Sequence, residues 1–222
     1  MNEYAQMIKD GGPIMLVIAL CALIALFIFL EKWLHFYRAQ VKVDDLIKGL
    51  INVLRRDEKS SSPRPKEVMV EAIALCDTTP GPVARVLASA IDAYQNGDDI
   101  QQSLEDQSII EVHRLESHLN ILATITYIVP LLGLLGTITG IMEAFRVMQG
   151  NNFVTMQELS SGVYRALVST AASLCVAIPC HIAYNYLLSK VQLFCIEMER
   201  ASSSILSFFQ HRVSGTVQHE EP

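Results

Sequence analysis

Two stretches of the chain, Leu119–Met142 and Ala166–Ser189, contain no charged residue at all. Each is long enough to cross a bilayer as a helix, because about 20 residues suffice. A third uncharged stretch, Gly11–Leu30, follows the first ten residues. A segment in lipid must bond its own backbone polar groups, and a helix does so. The sequence therefore predicts an all-α polytopic membrane protein with three transmembrane helices.

Small residues recur along one face of the second and third stretches. Spacings of three and four residues align Thr126, Pro130, Gly133, Thr137, Gly140 and Ala144 in one, and Ala166, Thr170, Ser173, Ala177 and Cys180 in the other. Small residues let helices approach closely in lipid, where hydroxyls need a polar partner or water. We expect Gly133, Gly136, Gly140, Ala166, Ser173 and Ala177 to form a packing or lumen-facing surface. This pattern favours ion passage.

The distribution of lysine and arginine predicts the topology. Residues 31–118 carry eleven of these cations, whereas the N-terminal ten residues carry only Lys9. Cytoplasmic segments are enriched in lysine and arginine. We therefore expect an extracytoplasmic segment 1–10, spans at 11–31, 119–145 and 165–189, a cytoplasmic region 32–118, an extracytoplasmic loop 146–164 and a cytoplasmic C-terminal segment 190–222. A signal peptide is the alternative for the first span, but its apolar core is too long and no A-x-A site follows.

The cytoplasmic segments have helical patterns. Asp44–Leu54 is amphipathic, which predicts a helix. The charged RRDEKSSSPRPKE run (55–67) predicts a loop. Further helices are expected at Lys66–Cys76 and Val83–Gln95. No proline or glycine lies between Ile100 and Pro130, so one long helix is expected to enter the second span. The third span is likewise expected to continue to Gly215. Two spans would thus extend into a cytoplasmic helical bundle.

Several functional classes have no support in the sequence. The net charge of −6 gives no reason to expect nucleic-acid binding. The chain has no P-loop, nucleophile elbow or metal-binding helix, and its five cysteines are dispersed without zinc-site spacing. We therefore expect no enzyme activity, no cofactor and no metal. Energy would have to come from an ion gradient or a partner.

Four motifs resemble those of the ExbB/TolQ/MotA proton-channel family, especially its ExbB/TolQ branch. They are GGPIM before the first span, CDTTPGPVARVLASAI from Cys76, PLLGLLGTITGIMEAF from Pro130 and ALVSTAASLCVAIPCHIAYN from Ala166. They occur in the family's order and cover roughly residues 10–210. The short cytoplasmic region disfavours the four-span MotA branch. The sequence does not decide between an ExbB and a TolQ role.

The resemblance implies a subunit of an ion-driven motor in the bacterial inner membrane. Family members form homo-oligomers, as pentamers, around an ExbD/TolR-like single-span partner, and use the proton or sodium gradient. Work is transmitted to the periplasm or outer membrane. The N-terminus would be periplasmic and the C-terminus cytoplasmic. The family's threonines of the second and third spans fall on Thr137 and Thr170, facing the lumen near a partner aspartate.

The residues themselves leave alternatives open at three places. Either Thr137 and Thr170 line an ion pathway, or their hydroxyls only bond backbone carbonyls of their own helices. Either Glu143 and Arg165 form a charge pair at the extracytoplasmic mouth, or they are unrelated interfacial charges. Arg165 stands where many family members have glutamate. Pro130 and Pro179 act as hinges, or they only adjust packing.

The functional hypotheses differ in class. The first is the ion-driven motor subunit. The second is a non-conducting membrane scaffold that holds a single-span partner, favoured by the missing glutamate at position 165. A secondary transporter is the third, but it usually has more spans and internal repeats.

Overall fold

The computed structural model describes residues 12–39, 43–59, 65–150 and 156–217. Within these ranges the chain is helical and contains no strand, which confirms the all-α prediction. The helices are α1 (Gly12–Ala39), α2 (Val43–Lys59), α3 (Pro65–Thr78), α4 (Pro82–Asn96), α5 (Ile100–Glu116), α6 (Leu119–Gly150) and α7 (Met156–Val217). The predicted segment 1–10 lies outside the described residues. Within the predicted outer loop 146–164, α6 continues to Gly150 and α7 begins at Met156, and only residues 151–155 lie outside the described part.

Three helices are long and apolar enough to cross a membrane, as the sequence predicts. The candidate spans are Pro13–Ala39 in α1, Leu119–Met148 in α6 and Ser160–His211 in α7. Much of their apolar surface is exposed in the single chain, including Phe27, Tyr127 and Ile178. Apolar side chains exposed on an uncharged stretch of helix suit contact with lipid or with further protein.

The described residues divide into two compact units. The first unit comprises those up to Lys32 and from His118 to Leu187, and therefore holds most of α1, all of α6 and the first half of α7. The second unit comprises Trp33–Ser117 and the residues from Leu188 onward. The predicted cytoplasmic helices lie in this second unit.

The prediction of one unbroken helix from Ile100 into the second span is wrong. Ser117 adopts φ −52° and ψ 137°, and His118 adopts a left-handed φ of 67°. The Ser117 hydroxyl donates to the Arg114 carbonyl at 2.8 Å and thus caps the end of α5. Ser–backbone bonds of this kind compete with helix continuation. The left-handed histidine costs about 1 kcal/mol, and no glycine or proline signals the break.

Two other predicted boundaries can now be compared with the structure. α7 continues unbroken to Val217, as expected from the absence of breakers after Pro179. The predicted loop at 55–67 is too long, because α2 extends to Lys59 and α3 begins at Pro65. Arginine, glutamate and lysine are good helix formers, and proline is favoured in the first helical turn. Residues 60–64 lie outside the described part.

The second unit has a core built from one face of each of its helices. Fully buried side chains come from α2, α4, α5 and α7: Leu50, Leu54, Leu87, Ile91, Leu115, Met198, Ile205 and Phe209. The Phe209 ring stacks on Tyr94 with centroids 4.4 Å apart. The leucines of α2 are the ones that the amphipathic pattern places together, so helical periodicity accounts for this core.

Glycines and an aspartate fix the ends of α4 and the start of α5. Gly81 adopts φ 132°, and a Cβ there would lie 3.0 Å from the Ala39 carbonyl oxygen. Gly97 ends α4 with a left-handed φ of 77°, and the Asp99 side chain then accepts hydrogen bonds from two α5 amides. Only glycine reaches the Gly81 conformation at low cost. This explains the NGDD and PGP turns in the sequence.

A buried carboxylate joins α4 to α5. The Glu111 side chain has no exposed surface, and its two oxygens accept from Arg85 at 2.5 Å and Arg114 at 2.7 Å. Gln107 donates a further hydrogen bond at 3.2 Å. Buried charge is tolerated only when paired and hydrogen-bonded in this way. No sequence pattern predicts this cluster.

Candidate functional site

α6 and α7 make a close antiparallel contact through small residues. A Cβ added at Gly133 would overlap the Ser173 side chain, and one at Gly136 would overlap Ser169. The contact continues toward the other end of the pair at Gly140 with Ala166 and at Ala144 with Gly162. The pair is thus in register over about three helical turns. Both predicted small faces take part.

The serines of this contact are satisfied within their own helix. Ser169 and Ser173 are 2% and 0% exposed. Their hydroxyls donate at 2.8 Å to the carbonyls of Ala166 and Thr170. A buried hydroxyl without a partner would be costly in an apolar environment. These bonds allow polar side chains to serve as small packing residues, as Gly133 and Gly136 do.

Thr170 links the two helices directly. Its hydroxyl donates to the Gly133 carbonyl oxygen at 3.1 Å. Small residues bring the backbones close enough for such a bond, because a Cβ at Gly133 would also lie only 3.3 Å from the Thr170 Cα. Interhelical hydrogen bonds in membranes contribute about 0.6 kcal/mol on average. Thr170 therefore has a packing role in the single chain.

Thr137 lies at nearly the same level as Thr170. Gly136 of α6 contacts Ser169 of α7. Thr137 is the residue after Gly136, and Thr170 is the residue after Ser169. The half-buried Thr137 donates to the Leu134 carbonyl of its own helix at 2.7 Å. The two hydroxyls thus occupy one level of the helix pair, and in the single chain each has a backbone acceptor.

A family model matches residues 78–200, more than half of the chain, and it describes the MotA/TolQ/ExbB proton channel family. The chain belongs to this family. Its matched region contains the α6–α7 contact and both threonines. The names of its relatives, which include ExbB and TolQ, place it in the ExbB/TolQ branch.

Relatives share either a long stretch at low identity or a short one at higher identity. An ExbB homolog of Methanothermobacter thermautotrophicus is 28% identical over 84% of this chain and 63% of its own length. The TolQ protein of the Tol-Pal system in Haemophilus influenzae is 41% identical over 36% of each chain. ExbB of Aquifex aeolicus is 39% identical over 38% of this chain and 57% of its own length. The chain thus spans less than two thirds of each of these relatives.

The α6–α7 contact also includes residues outside the predicted small faces. The predicted small face omits Ser169 and Gly162, although Gly162, Ala166, Ser169 and Ser173 follow spacings of four and three. Gly162 lies before the uncharged stretch Ala166–Ser189, so that stretch alone does not include it. Ala177, the remaining residue of the predicted packing surface, is also buried.

The charges at the predicted mouth do not pair within the single chain. Glu143 and Arg165 are both described and both exposed, and the structure forms no ion pair between them.

The two prolines of the spans leave their helices continuous. Pro130 is a half-buried residue inside α6, and Pro179 is an exposed residue inside α7. The structure therefore gives neither proline a visible break to act as a hinge.

Proposed function

We propose that this protein is an ExbB/TolQ-like proton-channel subunit of an ion-driven motor in the inner membrane. It would use the proton motive force, with an ExbD/TolR-like single-span partner, to energise transport or outer-membrane processes. The observation that carries this proposal is the close α6–α7 contact, which sets Thr137 and Thr170 at one level of two spans. Membership of a proton-channel family supports the same assignment.

The ion pathway of the proposal runs past Thr137 and Thr170. A threonine hydroxyl both donates and accepts hydrogen bonds, so paired hydroxyls can hold water or a hydrated ion. No acidic residue lies in Leu119–Met142 or Ala166–Ser189. A titratable carrier at this depth would therefore come from the partner, since an intramembrane acid is expensive and usually functional.

The assembly of the proposal is a homo-oligomer, a pentamer by family analogy, embedded in the bilayer. Exposed apolar residues on α6, such as Leu131 and Phe145, leave a large surface for neighbouring copies or lipid. The lysine and arginine distribution supports a periplasmic N-terminus and a cytoplasmic C-terminus. In this arrangement Arg165 lies near the periplasmic mouth, where Glu143 of a neighbouring copy would neutralise it.

Proton flux into liposomes tests the pathway. The samples are the chain alone, the chain with its single-span partner, and the partnered complex carrying Thr137→Ala and Thr170→Ala. Thr139→Ala is a matched control, because Thr139 lies on α6 two residues from Thr137 and also donates to carbonyls of its own helix. We expect flux that needs the partner, survives Thr139→Ala and disappears in the double variant.

A non-conducting scaffold is the second candidate. It is favoured by the two threonine hydroxyls, which already have backbone acceptors, and by the exposed Arg165, whose charge would repel cations. An assembled complex that gives no proton or sodium flux above empty liposomes would establish the scaffold and refute the motor.

The mouth charges and the prolines have separate tests within the same flux assay. Glu143→Gln and Arg165→Gln should each lower flux, and the exchange of the two charges should restore it. If both single variants leave flux and assembly intact, the pair has no role.

Pro130→Ala and Pro179→Ala should slow flux without altering assembly if the prolines are hinges.

A further inference from the structure

A cleft of about 540 Å³ opens in the second unit between α2 and the last turns of α7. α2 contributes Ile51, Leu54 and Arg55, and α7 contributes Ser204, Ser207, Phe208 and His211. These positions are three and four residues apart, so each set forms one helical face. The volume lies within the range of about 300–1,000 Å³ that ligand sites occupy.

The polar groups of this cleft suit an anion. Arg55 and His211 line it, two serine hydroxyls accompany them, and none of the lining residues is acidic. This sign of charge stands out on a chain whose acidic residues outnumber its lysines and arginines, 23 to 17. A guanidinium beside hydroxyls and an imidazole matches the several acceptor oxygens of a phosphate group.

The two basic side chains of the cleft have no carboxylate partner among the described residues. Within the described residues, Arg85, Arg114 and Arg200 each pair with a carboxylate, whereas Arg55 and His211 form no such pair. The Ser204 hydroxyl already donates to the Arg200 carbonyl of its own helix, so it does not serve as a donor to an anion. The donors for an anion are Arg55 on the α2 wall and Ser207 and His211 on the α7 wall.

The rest of the cleft is apolar. Leu54 has no exposed surface at its base, and the half-buried Ile51 and Phe208 form its sides. A free inorganic ion would bind only the cationic end and leave this apolar wall uncovered. A ligand with an apolar group next to its charge would cover both.

We propose that this cleft binds a phosphate monoester attached to an apolar group. Arg55 and His211 bind the phosphate, and Ile51 and Phe208 contact the apolar part. The ligand is either a lipid with a terminal phosphate or a soluble phosphorylated molecule, since the two share this chemistry. The site is separate from the α6–α7 contact, so binding does not depend on the proposed ion pathway.

Calorimetric titration of the full chain in detergent tests the site. The probes are phenyl phosphate, inorganic phosphate and dihexanoyl phosphatidic acid below its micelle concentration. We expect phenyl phosphate to bind more tightly than inorganic phosphate, and Arg55→Gln and His211→Gln each to weaken binding about tenfold. Lys48→Gln is the matched control, because Lys48 is an exposed cation on α2 that does not line the cleft.

The outcomes separate the parts of the proposal. Tighter binding of phosphatidic acid than of phenyl phosphate identifies a lipid as the source, and the reverse order identifies a soluble ligand. Equal affinity for phenyl and inorganic phosphate overturns the apolar part. Equal binding by Arg55→Gln and Lys48→Gln, or no saturable binding up to about 10 mM, overturns the site. Both substituted side chains are exposed, so the variants should fold.

Discussion

Gly133→Ala should destabilise the contact between α6 and α7. The added Cβ would overlap the Ser173 hydroxyl and lie 2.6 Å from the Ser173 Cβ and 3.3 Å from the Thr170 Cα. Ser173 is fully buried and bonded to its own helix, so it cannot move aside freely. Overpacking costs about 1–3 kcal/mol, and the better helix propensity of alanine returns part of this. We expect a net loss of about 1–2 kcal/mol.

The geometry also predicts which second change restores stability. Ser173→Gly removes both side-chain atoms that the new Cβ meets, and it leaves the Thr170 Cα at a tolerable 3.3 Å. Ser173→Ala removes only the hydroxyl and leaves a methyl group 2.6 Å away. Ser173→Gly should therefore rescue Gly133→Ala, with a favourable coupling of about 1 kcal/mol, whereas Ser173→Ala should not.

Thermal unfolding in one fixed detergent, followed by far-UV circular dichroism, measures the effect. The four combinations of wild type, Gly133→Ala, Ser173→Gly and the double variant form a double-mutant cycle, and Ser173→Ala gives the second cycle. Equal rescue by glycine and alanine would refute the argument from the close contact. So would an unchanged melting temperature in Gly133→Ala alone.

Three further predictions concern the second unit. Glu111→Gln removes the carboxylate that Arg85 and Arg114 share, and because both arginines are about half exposed and remain solvated it should cost only about 1–2 kcal/mol in chemical denaturation; a cost below about 0.5 kcal/mol would show that the cluster is dispensable. Gly81→Ala should destabilise more than Gly97→Ala, because both have positive φ but only the first also meets a backbone oxygen; equal melting temperatures would contradict this. Burial, reinforced by Asp77, raises the pKa of the Cys76 thiol from 9.0 to about 11. Its contribution to stability is therefore fully present below about pH 9 and is lost as pH rises through about 11, and Cys76→Ala should flatten that decline.

The sequence predicts the helices of this fold well because their signals are local. Uncharged length marks the spans, and apolar periodicity marks α2. The break at Ser117 and His118 has no such signal, since it depends on a serine–backbone bond and a left-handed histidine. The charged run at 55–67 predicts a loop, but α2 continues to Lys59, because arginine, glutamate and lysine favour helices.

The packing face was predictable, but the partner of each residue was not. Spacing alone groups Gly133 with Thr137 and Gly140 on one face of α6. It cannot say that Gly133 meets Ser173, or that Thr170 bonds across while Thr137 bonds within its own helix. Those outcomes depend on the register of two helices, which a pattern on each helix does not fix. The Glu111 cluster was missed for the same reason.

The state of the two threonines has a consequence for how the proposed channel would work. Thr137 and Thr170 both donate to backbone carbonyls in the single chain, so neither can donate to water at the same time. Their oxygens can still accept a hydrogen bond from a protonated group or a hydrated ion. The α6–α7 pair at rest would thus act as an acceptor surface for a proton-carrying partner. Donation by Thr170 would require breaking its bond to Gly133, and with it part of the contact that holds the two spans together.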